Sequence, residues 1–212
     1  MPLFERRLIS ATTQQPTSDS RRIALKVMPT STRSPSLLNN VGYTFVTGGA
    51  RSGKSSLALR LAHSSGRPVT FVATGEALDD EMTDRIARHQ VERPAHWHTV
   101  EAPRGLIGAV QKTASDSFVI VDCLSLWVSN LLLDGVADIE TQAIDLHRVL
   151  TDRRSPSVVV TNEVGLGIVP DNALARSYRD VLGRVNAILA TGAADAFFVV
   201  AGRVIRLDMP PV

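Results

Sequence analysis

The chain has 212 residues, 44% hydrophobic and 21% charged, a length and balance that suit one globular domain with a sizeable core. No apolar run reaches the roughly 18–20 residues a bilayer requires, and a single cysteine, Cys123, excludes an intramolecular disulfide framework and fits a reducing cytoplasm. The net charge of +2 is uneven: residues 1–40 carry six Arg/Lys against two acids, leaving 17 of the 23 basic and 19 of the 21 acidic groups for the rest, so the basic balance belongs to the tail and implies no nucleic-acid partner.

Residues 1–40 are rich in Ser, Thr, Arg and Pro without sustained periodicity, and are expected to form a mostly disordered basic extension. The extension has the Arg-rich, acid-poor look of an organellar transit peptide, with a dispensable tail or an upstream start codon as the alternatives. The folded domain is expected over 41–212. Its strand candidates are Tyr43–Thr47, Val69–Ala73, Phe118–Asp122, Val158–Asn162, and Ala196–Val200 followed by Val204–Leu207. Amphipathic stretches lie between them at 54–63, 79–90, 104–114, 124–133, 138–152 and 172–190. "FVIVD" and "VVVTN" are apolar on both faces, as strands of a parallel sheet covered on both sides must be. Alternating strand and helix predicts a three-layer α/β fold with right-handed crossovers, and "VVAGRVIRL" predicts a closing hairpin around Ala201-Gly202. Ligands in such folds sit at the C-terminal ends of the strands.

The first strand runs into "GGARSGKSS". Gly48, the four residues Gly49, Ala50, Arg51 and Ser52, and then Gly53, Lys54 and Ser55 complete the G-x-x-x-x-G-K-[ST] pattern. The glycines let the backbone curl so that successive N–H groups converge on a phosphate, and the helix opening near Lys54 adds its positive end. Lys54 can reach the β- and γ-phosphates, and Ser55 can ligate Mg²⁺. Strand before and helix after make this a nucleoside triphosphate site, so the fold class is α/β, P-loop NTPase-like, with a mostly parallel sheet and a C-terminal β-hairpin. Asp122, ending "FVIVD", stands where a second-strand carboxylate would hold Mg²⁺ directly or through water; the alternative is a helix cap.

Three of the five histidines fall in "RIARHQVERPAHWHTVE". As a zinc cluster His89, His96 and His98 have poor spacing, with Pro94 intervening. His96 and His98 read as the polar face of a short strand whose other face carries Trp97 and Thr99. His89 ends the helical pattern "DDEMTDRIARHQ", with Glu81 and Arg85 on the same face; a neutral imidazole there could attack phosphorus, against the plainer reading of a solvated helix-end residue. "TNEVGLGIVP" reads as a strand end at Asn162-Glu163, a turn at Gly165 and Gly167, and a helix start at Pro170, forming either a ligand-lining loop or a plain connection.

Taken together, "TGGARSGKS", "ATGEALDDEM", "RIARHQVERPAHWHTVE", "DCLSLWVSNLL" and "TNEVGLGIVP…LARSYRDVLGRVN" resemble, in that order, the bifunctional adenosylcobinamide kinase/adenosylcobinamide-phosphate guanylyltransferase family, from Tyr43 to about Leu207. The resemblance implies two reactions. A nucleoside triphosphate, ATP or GTP, phosphorylates the aminopropanol hydroxyl of adenosylcobinamide. GTP then guanylylates a histidine, and the corrinoid phosphate takes the GMP to give adenosylcobinamide-GDP. It assigns the nucleophile to His89 and nucleotide contacts to Ala73, Thr74, Gly75, Gln90, Val91, Glu92, Arg93, Glu101 and Asp122, beside the loop Gly48–Ser55, with Mg²⁺ on Ser55 and Asp122. It also implies a homotrimer. The N-terminal extension departs from the family, whose phosphate loop lies within the first dozen or so residues. The rival readings are a P-loop small-molecule kinase without guanylyl transfer and a GTP-dependent switch protein. Guanylylation through a neutral ring should weaken as the pH falls.

Overall fold

A computed structural model describes residues 42–77, 79–91 and 93–209; the basic extension 1–40, Glu92 and the side chain of Arg85 lie outside the described residues. The chain runs β1 (Tyr43–Gly48), α1 (Lys54–Ser64), β2 (Val69–Ala73), α2 (Asp80–Val91), β3 (His98–Glu101), α3 (Leu106–Gln111), β4 (Phe118–Asp122), α4 (Leu124–Leu133), α5 (Ile139–Thr151), β5 (Ser157–Val160), α6 (Ala173–Thr191), β6 (Asp195–Val200) and β7 (Arg203–Arg206). The strands form one seven-stranded sheet in the order β3-β2-β4-β5-β1-β6-β7. All neighbours pair in parallel except β6 and β7.

Apolar side chains on both faces of each central strand produce the three layers. In β4, Val119 and Val121 pack on one side with Leu106, Trp127, Leu146 and Leu182 of α3, α4, α5 and α6, while Phe118 and Ile120 pack on the other with Ala58 and Ala62 of α1. Trp127 is fully buried, and its Nε1 donates to Arg104 O at 2.9 Å, tying the loop after β3 to α4. Burying so large a side chain is worth at least the roughly 1.5–3 kcal/mol of a buried Leu or Phe.

The expected hairpin is present. Ala201 and Gly202, both with positive φ (50° and 72°), form its two-residue turn, the geometry of primed turns whose twist suits flanking strands. Gly202 N donates to Ser52 O at 2.9 Å, so the hairpin props the phosphate loop.

Three local expectations are corrected. Regular β5 stops at Val160 rather than Asn162. β3 begins at His98; His96 sits in the turn closed by Trp97 N and Pro94 O at 3.0 Å, and the supposed Trp97/Thr99 face is split, Trp97 being buried and Thr99 exposed. That alternation fails because β3 is the sheet edge and only Trp97, ahead of it, reaches the core. Pro170 does not start α6. Asn172 caps it by accepting from Ala175 N at 3.2 Å, and the asparagine cap satisfies a helix donor in a way a proline ring cannot.

Candidate active site

The parallel strands end together, and their register sets the site. Ala73 pairs with Asp122 and with Glu101, Asp122 pairs with Val160, and Val160 pairs with Val46 of β1. The phosphate loop, Asp122 and Glu101 therefore meet at one sheet edge although they are far apart in sequence. A cavity of about 670 Å³ opens there, lined by Ala50–Ser56 from the loop, Ala73, Gly75, Gln90, Arg93, Glu101, Asp122 and His89, within the size range of small-molecule sites.

The loop has the required backbone. Gly48 and Gly53 have φ of 147° and 105°, and Arg51 also lies at positive φ, 55°. A Cβ on Gly48 would stand 2.2 Å from Val199 O, a backbone atom held in the sheet, whereas one on Gly49 would meet nothing within 4 Å. Gly48→Ala should therefore cost about 2–4 kcal/mol and weaken nucleotide binding more than tenfold, with Gly49→Ala near wild type in a calorimetric Tm as the control. Lys54 Nζ donates to Gly49 O at 2.6 Å, folding its ammonium over the loop.

Ser55 hydrogen-bonds Asp122. Burial pushes the Asp122 carboxyl above the ordinary range; the Ser55 hydroxyl and the nearby His89, Arg93 and Lys54 pull it partly back. Arg93 lies 3.6 Å over the Phe71 ring centroid. Its Nε and Nη1 are buried without a hydrogen-bond partner among the described residues, and desolvation lowers its pKa against the opposing pull of Asp122 and Glu101. A guanidinium stacked on an aromatic ring with two unmatched donors suits an anion or a carbonyl arriving with a ligand.

His89 lies in the last turn of α2, half-buried. Glu81 and His89 both face the cavity, together with Met82 and Ile86, as the helical spacing predicts; the third member of that face, Arg85, has its side chain outside the described residues. α2 buries none of its described side chains fully. His96 and His98 are exposed and do not line the cavity, and no group of three or more His, Cys, Asp or Glu that could hold a metal occurs among the described residues.

Several expected nucleotide contacts stand apart. Gly48 and Gly49 shape the loop without lining the cavity, Val91 is 87% exposed, and Glu92 falls outside the described residues. Thr74 is fully buried, and its hydroxyl donates to Cys123 O at 2.6 Å and accepts from Cys123 N at 2.8 Å. Asn130 Nδ2 then bridges Thr74 O at 3.0 Å and Pro103 O at 2.9 Å. Thr74 thus braces the peptide after Asp122 from behind. In the other direction, Arg88, Cys123 and Leu126 line the cavity unforeseen, whereas Glu81 lies there as the helix face it shares with His89 implies and Asn162 as the ligand-lining reading of its loop allows.

A parallel sheet with its first strand leading into a phosphate loop, and an acid on a second strand bonded to the loop serine, defines a P-loop NTPase-like protein. The sequence of residues 44–207 matches the family described as cobinamide kinase / cobinamide phosphate guanyltransferase, and the chain belongs to that family. It is 41% identical over 169 residues to the bifunctional adenosylcobalamin biosynthesis protein CobP of Pseudomonas aeruginosa, covering 79% of this chain and 98% of that one. It is 43% identical over 172 residues to the bifunctional adenosylcobalamin biosynthesis protein CobU of Salmonella typhimurium, covering 74% and 94%. Among solved structures, the flagellar accessory protein FlaH from Methanocaldococcus jannaschii aligns with a TM-score of 0.44 at 16% identity, over 77% of this chain and 74% of that one; a likeness this slight carries nothing about activity.

Proposed function

We propose that the chain phosphorylates the side-chain hydroxyl of adenosylcobinamide with a nucleoside triphosphate, and then transfers GMP from GTP through His89 to the phosphate so formed. One observation carries this reading: the phosphate loop and a histidine on a separate, lightly packed helix line the same cavity. A kinase alone needs the first and has no use for the second.

In the kinase step the hydroxyl attacks the γ-phosphorus and the nucleoside diphosphate leaves, with Lys54 and the loop amides balancing the charge. In the guanylyl step a His89 ring nitrogen attacks the α-phosphorus, the bond to the β-phosphate oxygen breaks, and pyrophosphate departs. The corrinoid phosphate then displaces the histidine from phosphorus. Ser55 and Asp122 form a fitting donor set for Mg²⁺, since that ion needs few protein oxygens beside phosphate and water; bound there, it would offset negative charge on the triphosphate. The two steps require different phosphorus atoms in line with different nucleophiles. α2, with no fully buried described side chain, is the element that can shift at least cost. No helix among the described residues is long and apolar enough to cross a membrane.

The test supplies GTP, Mg²⁺ and adenosylcobinamide to the full chain and follows the corrinoid by mass spectrometry. The expected products are its phosphate and then its GDP adduct. Phosphate alone would leave a simple kinase, and GTP hydrolysis with an unchanged corrinoid would leave a switch.

A further inference from the structure

We propose that Asn162 is a catalytic residue of the phosphoryl-transfer step, its Oδ1 accepting a hydrogen bond from the substrate hydroxyl that attacks the γ-phosphorus. This rests on the reading above that the chain is a kinase.

β5 lies in the sheet between β1, which carries the phosphate loop, and β4, which carries Asp122. Residues just past β5 therefore fall between the loop and the carboxylate. Asn162 is fastened there from three sides. Its neighbours continue the pairing with β1, Thr161 N donating to Val46 O at 2.9 Å and Glu163 N to Gly48 O at 3.1 Å. Its own carbonyl accepts from Asn186 Nδ2 at 3.1 Å, and Asn186 Oδ1 accepts from Thr161 Oγ1 at 2.8 Å. Its Nδ2 donates to Ser125 Oγ at 3.0 Å, three residues beyond Asp122.

With the amide nitrogen so used, Oδ1 is the remaining polar atom of the side chain, and among the described residues it takes no hydrogen bond. Asn162 lines the cavity together with Lys54, Ser55 and Asp122. An amide oxygen accepts and cannot donate, so it repels phosphate oxygens and selects a donor. The donor that the reaction must bring to this place is the attacking hydroxyl. Its oxygen forms the new bond to the γ-phosphorus while the bridging bond to the diphosphate breaks, and the electron pair leaves with the nucleoside diphosphate. The hydroxyl proton, oriented by Oδ1, passes to a phosphoryl oxygen or to water; Asn162 directs the lone pair and takes no proton.

The test compares both half-reactions in one preparation of each variant. Asn162→Ala is expected to lower the kinase kcat about 30- to 300-fold, a loss typical of one misplaced reacting group, with KM for the nucleotide within threefold. Label transfer from α-labelled GTP to the protein should stay within twofold, because that step has no acceptor hydroxyl. Asn162→Asp, which restores an acceptor, should retain clearly more kinase activity than the alanine variant. Equal losses in both half-reactions, or an unchanged kcat, would overturn the assignment and leave Asn162 a structural brace. A wild-type chain that neither phosphorylates the corrinoid nor takes up label would instead overturn the functional reading itself, and the assignment with it.

Discussion

His89→Ala should abolish covalent labelling of the chain by GTP carrying label in its α-phosphate, while kinase activity falls by less than about tenfold. The wild-type label should approach one per chain, resist base and be released by acid, as expected of phosphorus on an imidazole nitrogen rather than on an oxygen. The reason lies in the geometry: of the three histidines in the segment 85–101, only His89 faces the cavity shared with the phosphate loop, while His96 and His98 are exposed away from it. His96→Ala and His98→Ala should therefore label like wild type. Removing a nucleophile leaves nothing for the second half-reaction, whereas the kinase step keeps Lys54, Ser55 and Asp122. Label that survives in His89→Ala would refute the histidine route.

Asp122→Asn should lower the kinase rate by about 10²–10³ and yet raise the Tm of the nucleotide-free protein. Burial is the largest influence on this carboxyl and lifts its folded-state pKa above the ordinary one. The folded state then holds the proton more tightly than the unfolded state, so stability declines as pH rises from the ordinary value through the raised one. Above that window the cost is present in full. Asparagine removes the buried charge and the cost. The gain in Tm should be visible at pH 7 and vanish at pH 3, where wild-type Asp122 is protonated in both states. MgGTP should stabilise wild type more than the variant, because it offers the charge a partner. A variant less stable than wild type at pH 7 would mean that Ser55, His89, Arg93 and Lys54 outweigh desolvation at this position.

Much of the site was legible in the sequence because local rules govern it. The phosphate loop needs glycines at positions with positive φ, which Gly48 and Gly53 have, and a contiguous pattern reports this. Asp122 could be read from its place at the end of a doubly apolar strand. His89 was ambiguous by itself, since a solvated helix end and a nucleophile share the same residues, and only the resemblance favoured it. Thr74 misled in the opposite way. It stands next to the cavity-lining Ala73 and Gly75, but the alternation of side chains along an extended segment turns it inward, where its hydroxyl brackets the Cys123 peptide. Asn162 opens a loop that the sequence reads equally well as a ligand lining or as a plain connection, and local pattern does not choose between them.

Composition, the two-faced apolar strands and the phosphate-binding pattern determined the layers, the parallel sheet and the triphosphate site from sequence alone, because these follow from periodicity and short-range backbone geometry. Only the tertiary structure decided that β5 lies between β1 and β4 and so delivers Asn162 between the phosphate loop and Asp122. The same holds for Arg93, whose stack on Phe71 leaves two buried donors without a partner among the described residues. Strand order and the meeting of distant side chains depend on how the whole chain buries its apolar surface, and no window of sequence contains that information.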